Sequence, residues 1–245
     1  MMNVLTRLFL ASATKETRAF HVMCADPAWL FDDKLPGGTR GAGNQYREQH
    51  IDDIINRRNF EFEWPQLADD CILFLWRVGS QQHEALRVVS GWDFDVKGEI
   101  VWNKLTKKGL PWFGMGRIQR QAHETCIVAT RGRSANVVID RGIRSTFEAK
   151  VPTYEKGHPK IGQPILDKHG KPKLHKKTSK PLVIKVGDYI HSAKPRQFYT
   201  NVVERMCRGP YVELFGRETR KGWTVSGNEV LHEGAIRSGT FTTPR

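Results

Sequence analysis

The residues Cys24-Ala25-Asp26-Pro27-Ala28-Trp29 set a carboxylate, a rigid proline and an indole directly after an apolar run that includes Val22 and Met23. Such a run reads as a buried strand, and in a parallel sheet the residues just past a strand's C-terminal end face the ligand crevice. Asp26 is therefore expected to meet a ligand instead of the core. An acid-Pro-x-aromatic turn offers a planar amine two acceptors, the Asp26 carboxylate and the Pro27 carbonyl, with Trp29 lying against the ring that bears the amine. A ring-bound amine is a poor nucleophile because its lone pair is delocalised. Two acceptors on its hydrogens favour a pyramidal nitrogen with a directed lone pair, each charge-assisted bond contributing about 1.5–3 kcal/mol. Taken alone, the same residues could equally supply a helix cap and a core filler.

The elements that must position this turn follow from apolar patterning. Residues 20–25 (FHVMCA), 71–76 (CILFLW), 99–102 (EIVW), 125–130 (TCIVAT) and 210–215 (PYVELF) read as buried strands. Helical spacing separates them: Ile51, Ile54 and Ile55 within 47–59, Leu86 and Val89 within 81–91, and Phe198, Val202 and Met206 within 195–209. Strands alternating with helices predict an α/β fold with a mostly parallel sheet covered by helices on both faces. Two segments depart from the pattern. Residues 36–46 (PGGTRGAGNQY) are glycine-rich and predict a surface loop beside the turn at Asp26. Residues from about 150 to 185 carry ten lysines against Glu155 and Asp167, and predict an extended excursion or small hairpin inserted in a single domain spanning 1–245.

The chain has 39 basic and 26 acidic side chains and a formal net charge of +13, which points to a polyanionic partner. No apolar run approaches the roughly 18 residues of a membrane span, and an intracellular, cytoplasmic protein is expected. Cys24, Cys71, Cys126 and Cys207 stand far apart with no CxxC pair, as reduced core thiols do, and neither they nor His158, His169 and His175 have metal-ligand spacing.

Seven short motifs extend the Asp26 turn along the chain: ADPAW (25–29), LFLW (73–76), VWNK (101–104), HE (123–124), HSAKP (191–195), ELFGR (213–217) and GNE (227–229). In this order they resemble the MT-A70-like N6-adenine methyltransferases, the family named for the seventy-kilodalton subunit of the eukaryotic mRNA adenosine methyltransferase. The resemblance implies a Rossmann-like class I S-adenosylmethionine-dependent methyltransferase fold with permuted motif order. It further implies that Asp26, Pro27, Ala28 and Trp29 hold the target adenine. Lys194 would bind the carboxylate of S-adenosylmethionine; Asp26, Glu213, Phe215, Gly216 and Arg217 would line its site, and Asn228 with Glu229 would reach its ribose and adenine. The family's second proline is Ala28 here, so the turn is expected to be looser while activity survives. His123 and Glu124 are expected to form an orienting hydrogen-bonded pair and not a catalytic dyad, because methyl transfer to a held amine needs no strong base.

For nucleic acid, Arg40, Lys104, Arg117 and Arg120 are candidate contacts near the site, with Lys173, Lys176 and Lys177 in the excursion. DNA is the expected substrate, because the excursion gives one compact chain its own grip on phosphate. RNA, or a non-catalytic nucleic-acid-binding member of the family, is the alternative, and a homodimer is compatible with either.

Overall fold

The computed structural model describes residues 19–29, 49–60, 62–114, 116, 118–166 and 170–227. Seven strands form one sheet: β1 (Phe20–Ala25), β2 (Leu67–Arg77), β3 (Asp95–Leu105), β4 (His123–Arg131), β5 (Thr146–Lys150), β6 (Tyr211–Leu214) and β7 (Trp223–Ser226), in the order β5-β3-β4-β2-β1-β6-β7. β1 lies between β2 and β6 and is parallel to both; β7 is parallel to β6 and β5 to β3. β4 alone runs against its neighbours, β2 and β3. The expected parallel sheet is thus mixed, because β3 and β4 are joined without a crossover helix and so must run antiparallel. That reversal has a consequence for the site. The C-terminal ends of six strands and the N-terminal end of β4 share one edge.

Each strand alternates between two cores. Val22, Cys24, Ile72, Phe74, Trp76, Ile100, Trp102 and Cys126 pack with Phe198, Tyr199, Val202 and Val203 on one face. Met23, Ala25, Leu73, Leu75, Ile127, Val212 and Leu214 pack on the other, with Ile54 of α1 (Ile51–Ile55) and with Ala85, Val88 and Val89 of α2 (Gln82–Gly91). The sheet is covered on both sides, and its mixed, mostly parallel form is that of a Rossmann-like methyltransferase. Of the helix expected over 47–59, the described residues form only Ile51–Ile55, and Arg57 and Asn59 adopt positive φ just past its end. Over 195–209 the chain winds as a π-helical stretch, Phe198–Val203, and then as α3, Glu204–Met206. All four cysteines are buried and free. No helix among the described residues is long and apolar enough to cross a membrane.

Residues 151–190 leave the sheet after β5. Short bridges pair Thr153 with Tyr189, Pro164 with Val183, Leu166 with Pro172 and Leu174 with Pro181, so the excursion folds back on itself as a narrow, mostly exposed arm.

Candidate active site

Asp26 follows the last residue of β1 and lies on the shared strand edge, where the parallel pairing with β2 and β6 puts it. Its Oδ2 accepts a hydrogen bond from Lys194 Nζ at 2.5 Å. Lys194 also donates to the Ser192 carbonyl at 3.1 Å and pairs with Glu124 Oε2 at 3.4 Å, with its side chain only 6 % exposed. The other Glu124 oxygen accepts from Lys104 Nζ at 2.5 Å. Four charges therefore alternate along the edge as Lys104, Glu124, Lys194, Asp26, and sum to zero. Glu124 reaches this position only because β4 is reversed and begins where its neighbours end.

Burial opposes ionisation of Glu124, yet Lys194 and Lys104 outweigh it and hold the carboxyl below its ordinary value. Burial likewise lowers Lys194, and Asp26 and Glu124 reverse that, leaving the ammonium above its ordinary value. Lys194 lies 5.2 Å from the Trp76 ring and Lys104 5.0 Å from the Trp102 ring, two indoles that meet edge to face. Charged heads and aromatic floor thus come from four different strands and the segment before the π-helical stretch.

This arrangement revises several expectations. His123 and Glu124 do not form a mutual pair: neighbours on a strand point to opposite faces, and Glu124 binds two lysines. Lys104, expected at phosphate, has its charge engaged within the chain of ions. Trp29 is 4 % exposed and packs in the core, donating Nε1–H to the Trp76 carbonyl at 3.1 Å. Its ring is a prop that ties the Asp26 turn to β2, and it presents no open face for a base. The Pro27 carbonyl already accepts the Trp29 N–H at 2.9 Å, so one lone pair remains for a substrate amine. The Ala28 carbonyl accepts the Gln49 N–H at 2.9 Å, which pins the turn without the proline ring.

Glu213 departs furthest from its expected role. It is buried, on the face of β6 turned toward the π-helical stretch; Tyr199 Oη donates to Oε1 at 2.6 Å and Arg220 Nη2 to Oε2 at 3.3 Å. The Arg220 guanidinium lies 3.4 Å from the Tyr199 ring centre. Burial raises the Glu213 carboxyl, and the opposing pull of Arg220 and of the Tyr199 hydrogen bond does not fully restore it. Each oxygen already has one protein donor, so Glu213 serves as a buried anion that ties β6 to Tyr199 and Arg220 beneath the edge. Tyr199 and Arg220 are the residues that sequence reasoning missed. The signal was a glutamate inside the apolar run PYVELF, which demands buried partners.

Beyond Glu213 the chain turns sharply. Phe215 has φ of 62° and packs edge-on against Phe60 and Phe62, closing the second core. Gly216 donates its N–H to the Ser226 carbonyl at 3.0 Å, and Gly227 lies so close that a Cβ there would come 2.2 Å from the Gly216 oxygen. The β6 and β7 turns therefore meet along a seam that only glycine permits, and the buried Ser226 hydroxyl beside it has no hydrogen-bond partner among the described residues. Arg217 donates to the His191 carbonyl at 2.6 Å, joining this seam to the HSAKP segment. His191 is held below its ordinary value by partial burial, then by the charges of Lys173 and Arg217, so Lys173 lies within electrostatic reach of the edge. Arg120 is exposed in the β3–β4 loop, and Lys176 and Lys177 are exposed at a turn of the excursion. Arg40, Arg117, Asn228 and Glu229 lie outside the described residues.

A glycine seam, an orphaned hydroxyl and a lysine at one strand edge fit a zwitterionic, nucleoside-bearing ligand. The comparison with known proteins agrees. The N(6)-adenosine-methyltransferase subunit METTL3 of Danio rerio is 30% identical over 222 residues, 86% of this chain and 28% of that protein. The type II methyltransferase M.MunI of a Mycoplasma species is 23% identical over 87% of this chain and 78% of its own length. Human N(6)-adenine-specific methyltransferase METTL4 is 29% identical over 68% of this chain and 30% of its own. The chain thus spans under a third of the two METTL relatives and most of M.MunI. The MT-A70 family model matches residues 20–160, more than half of the sequence, and with the Asp26 turn, the reversed β4 and the ion chain all inside or joined to that match, the chain belongs to the MT-A70 family of methyltransferases, which take their methyl group from S-adenosylmethionine.

Proposed function

We propose that the chain is a DNA adenine-N6 methyltransferase, a single catalytic unit with a basic arm, in which Asp26 holds the exocyclic amine of an adenine turned out of the duplex. The observation that carries this is the Asp26 carboxylate at the strand edge, held by Lys194 through Oδ2, which leaves Oδ1 to accept from a substrate donor. S-adenosylmethionine, when bound, supplies an electrophilic methyl group on sulfonium. The Gly216–Gly227 seam, Ser226 and Arg217 would hold its nucleoside side, and Lys194 would exchange one of its carboxylate partners for the methionine carboxylate. Asp26 and the free lone pair of the Pro27 carbonyl accept the two amine hydrogens and turn the nitrogen lone pair outward. The buried Trp29 fixes the turn's height above the sheet. Once the nitrogen has been alkylated it sheds a proton readily, and the Asp26 carboxylate stands beside it to accept.

The relatives named for adenosine and adenine N(6) support the target atom. DNA is favoured by the excursion, whose exposed lysines bind phosphate irrespective of sequence. RNA is the second reading, favoured by the METTL3 likeness over 86% of this chain. Methyl transfer from labelled donor to a duplex DNA and to a single-stranded RNA, with the product base identified by mass spectrometry, separates the two. N6-methyladenine in DNA alone is expected; label confined to RNA reassigns the substrate, and label in neither leaves a binding member.

Neutralising Lys173, Lys176 and Lys177 together to glutamine is expected to weaken DNA binding at all sequences and to flatten log Kd against log salt by about 2–3 in slope. Donor affinity measured by calorimetry should not change. An unaltered salt slope would remove the arm from the interface.

A further inference from the structure

The β3–β4 connection leaves the catalytic edge as a closed hairpin. Lys104 N–H donates to the Ala122 carbonyl at 3.0 Å, Trp112 N–H to the Lys104 carbonyl at 2.9 Å and Gly114 N–H to the Gln121 carbonyl at 3.1 Å. A Cβ on Gly114 would come 2.3 Å from the Gln121 oxygen, so glycine is what lets the two sides close. The Trp112 ring anchors the base of the hairpin edge-on against Tyr189 at 4.9 Å. The next side chain, Phe113, does the opposite. It is 75% exposed, and Ile118 near it in the loop is 100% exposed. The Arg120 guanidinium lies 4.9 Å from the Phe113 ring centre and braces it from one side.

An aromatic projecting into water, with a cation held against it, suits a base stack bordered by phosphates. It stands on a loop whose root, Lys104, connects through Glu124 and Lys194 to Asp26 by direct polar contacts. An enzyme that turns a base out of a duplex leaves a gap in the stack, and apolar wedges at base steps offset the unstacking that follows. We propose that Phe113, braced by Arg120 and flanked by Ile118, inserts into the duplex beside the target adenine and fills the space the base vacates. A second copy of the chain is a poorer occupant, because Arg120 would bring one more cation to an interface between two chains of net charge +13 each.

The inference rests on the proposal that the substrate is duplex DNA, and its test distinguishes the two. Phe113→Ala and Phe113→Trp are compared with the unaltered protein on a duplex carrying the unmethylated target adenine, on its single strand, and on the duplex with an abasic site opposite the target. Phe113→Ala should slow methylation of the duplex roughly 10- to 100-fold, the range expected for one lost stacking contact. Its rate on the single strand should stay within about twofold, the abasic duplex should recover most of the loss, and Phe113→Trp should keep duplex activity. With 2-aminopurine at the target position and no methyl donor, the fluorescence rise on binding should be smaller for Phe113→Ala. Equal losses on duplex and single strand, an unchanged duplex rate, or a loss that tracks dissociation of a dimer in sedimentation would overturn the wedge and leave the methyltransferase reading intact. Failure of the unaltered protein to methylate any duplex overturns both.

Discussion

Replacing Asp26 with asparagine is expected to reduce methyl transfer by roughly 10²- to 10³-fold, the effect of removing one preorganised electrostatic contact at a reacting centre. The substitution keeps the shape of the side chain and removes the charge that makes the amine–Oδ1 bond strong. Lys194 keeps the Ser192 carbonyl and Glu124 as partners, so the fold should lose only about 1.5–3 kcal/mol, the usual worth of a charge-assisted hydrogen bond. Rates compared well below the variant's unfolding transition isolate the chemical effect from this loss. DNA affinity at fixed salt should change little, because it comes mostly from contacts between phosphates and basic side chains away from Asp26. A variant retaining more than a tenth of the unaltered rate would remove Asp26 from the reaction, whatever its position in the fold.

The same carboxylate was readable from the sequence, and the reason is physical. A strand-ending acid followed by proline can only be presented at a sheet edge, and β1, fully apolar inward, could only be a central strand. The five apolar runs read as strands became five strands for the same reason. β5 and β7 were not legible: both are short, β5 is mostly exposed, and Thr224 and Ser226 interrupt the apolar residues of β7. The direction of β4 was also hidden. It depends on the absence of a helix among the described residues of 106–122, and three glycines and a proline leave that connection open to several routes. With β4 went the meaning of Glu124, whose partners Lys104 and Lys194 lie on the opposite strand and far along the chain. Trp29 shows a different limit. An indole after a strand suits both stacking on a ligand and filling a core, and only the Trp76 carbonyl at 3.1 Å decides between them.

Arg220 should prove to be the most costly charge to remove from the fold. It sits 7 residues from Glu213 along the chain, pairs with it at 3.3 Å, and covers the Tyr199 ring, so Arg220→Met strands a buried carboxylate with one hydroxyl donor. Breaking a buried pair from one side costs about 3–5 kcal/mol, and urea unfolding should show a loss of that size near neutral pH. The loss should depend on pH with a definite sign. Glu213 already has a raised folded pKa, so the stability tied to its protonation is present below its unfolded value of 4.5 and is lost as pH rises through the folded value. Without Arg220 that folded value rises further, and the difference between variant and unaltered protein should grow from small in acid to full at neutrality. Arg220→Met combined with Glu213→Gln should recover most of the stability, because the glutamine accepts the Tyr199 hydroxyl without burying charge. A loss under about 1 kcal/mol, or a double variant no better than the single, would mean that the pair is solvated and that β6 does not depend on it.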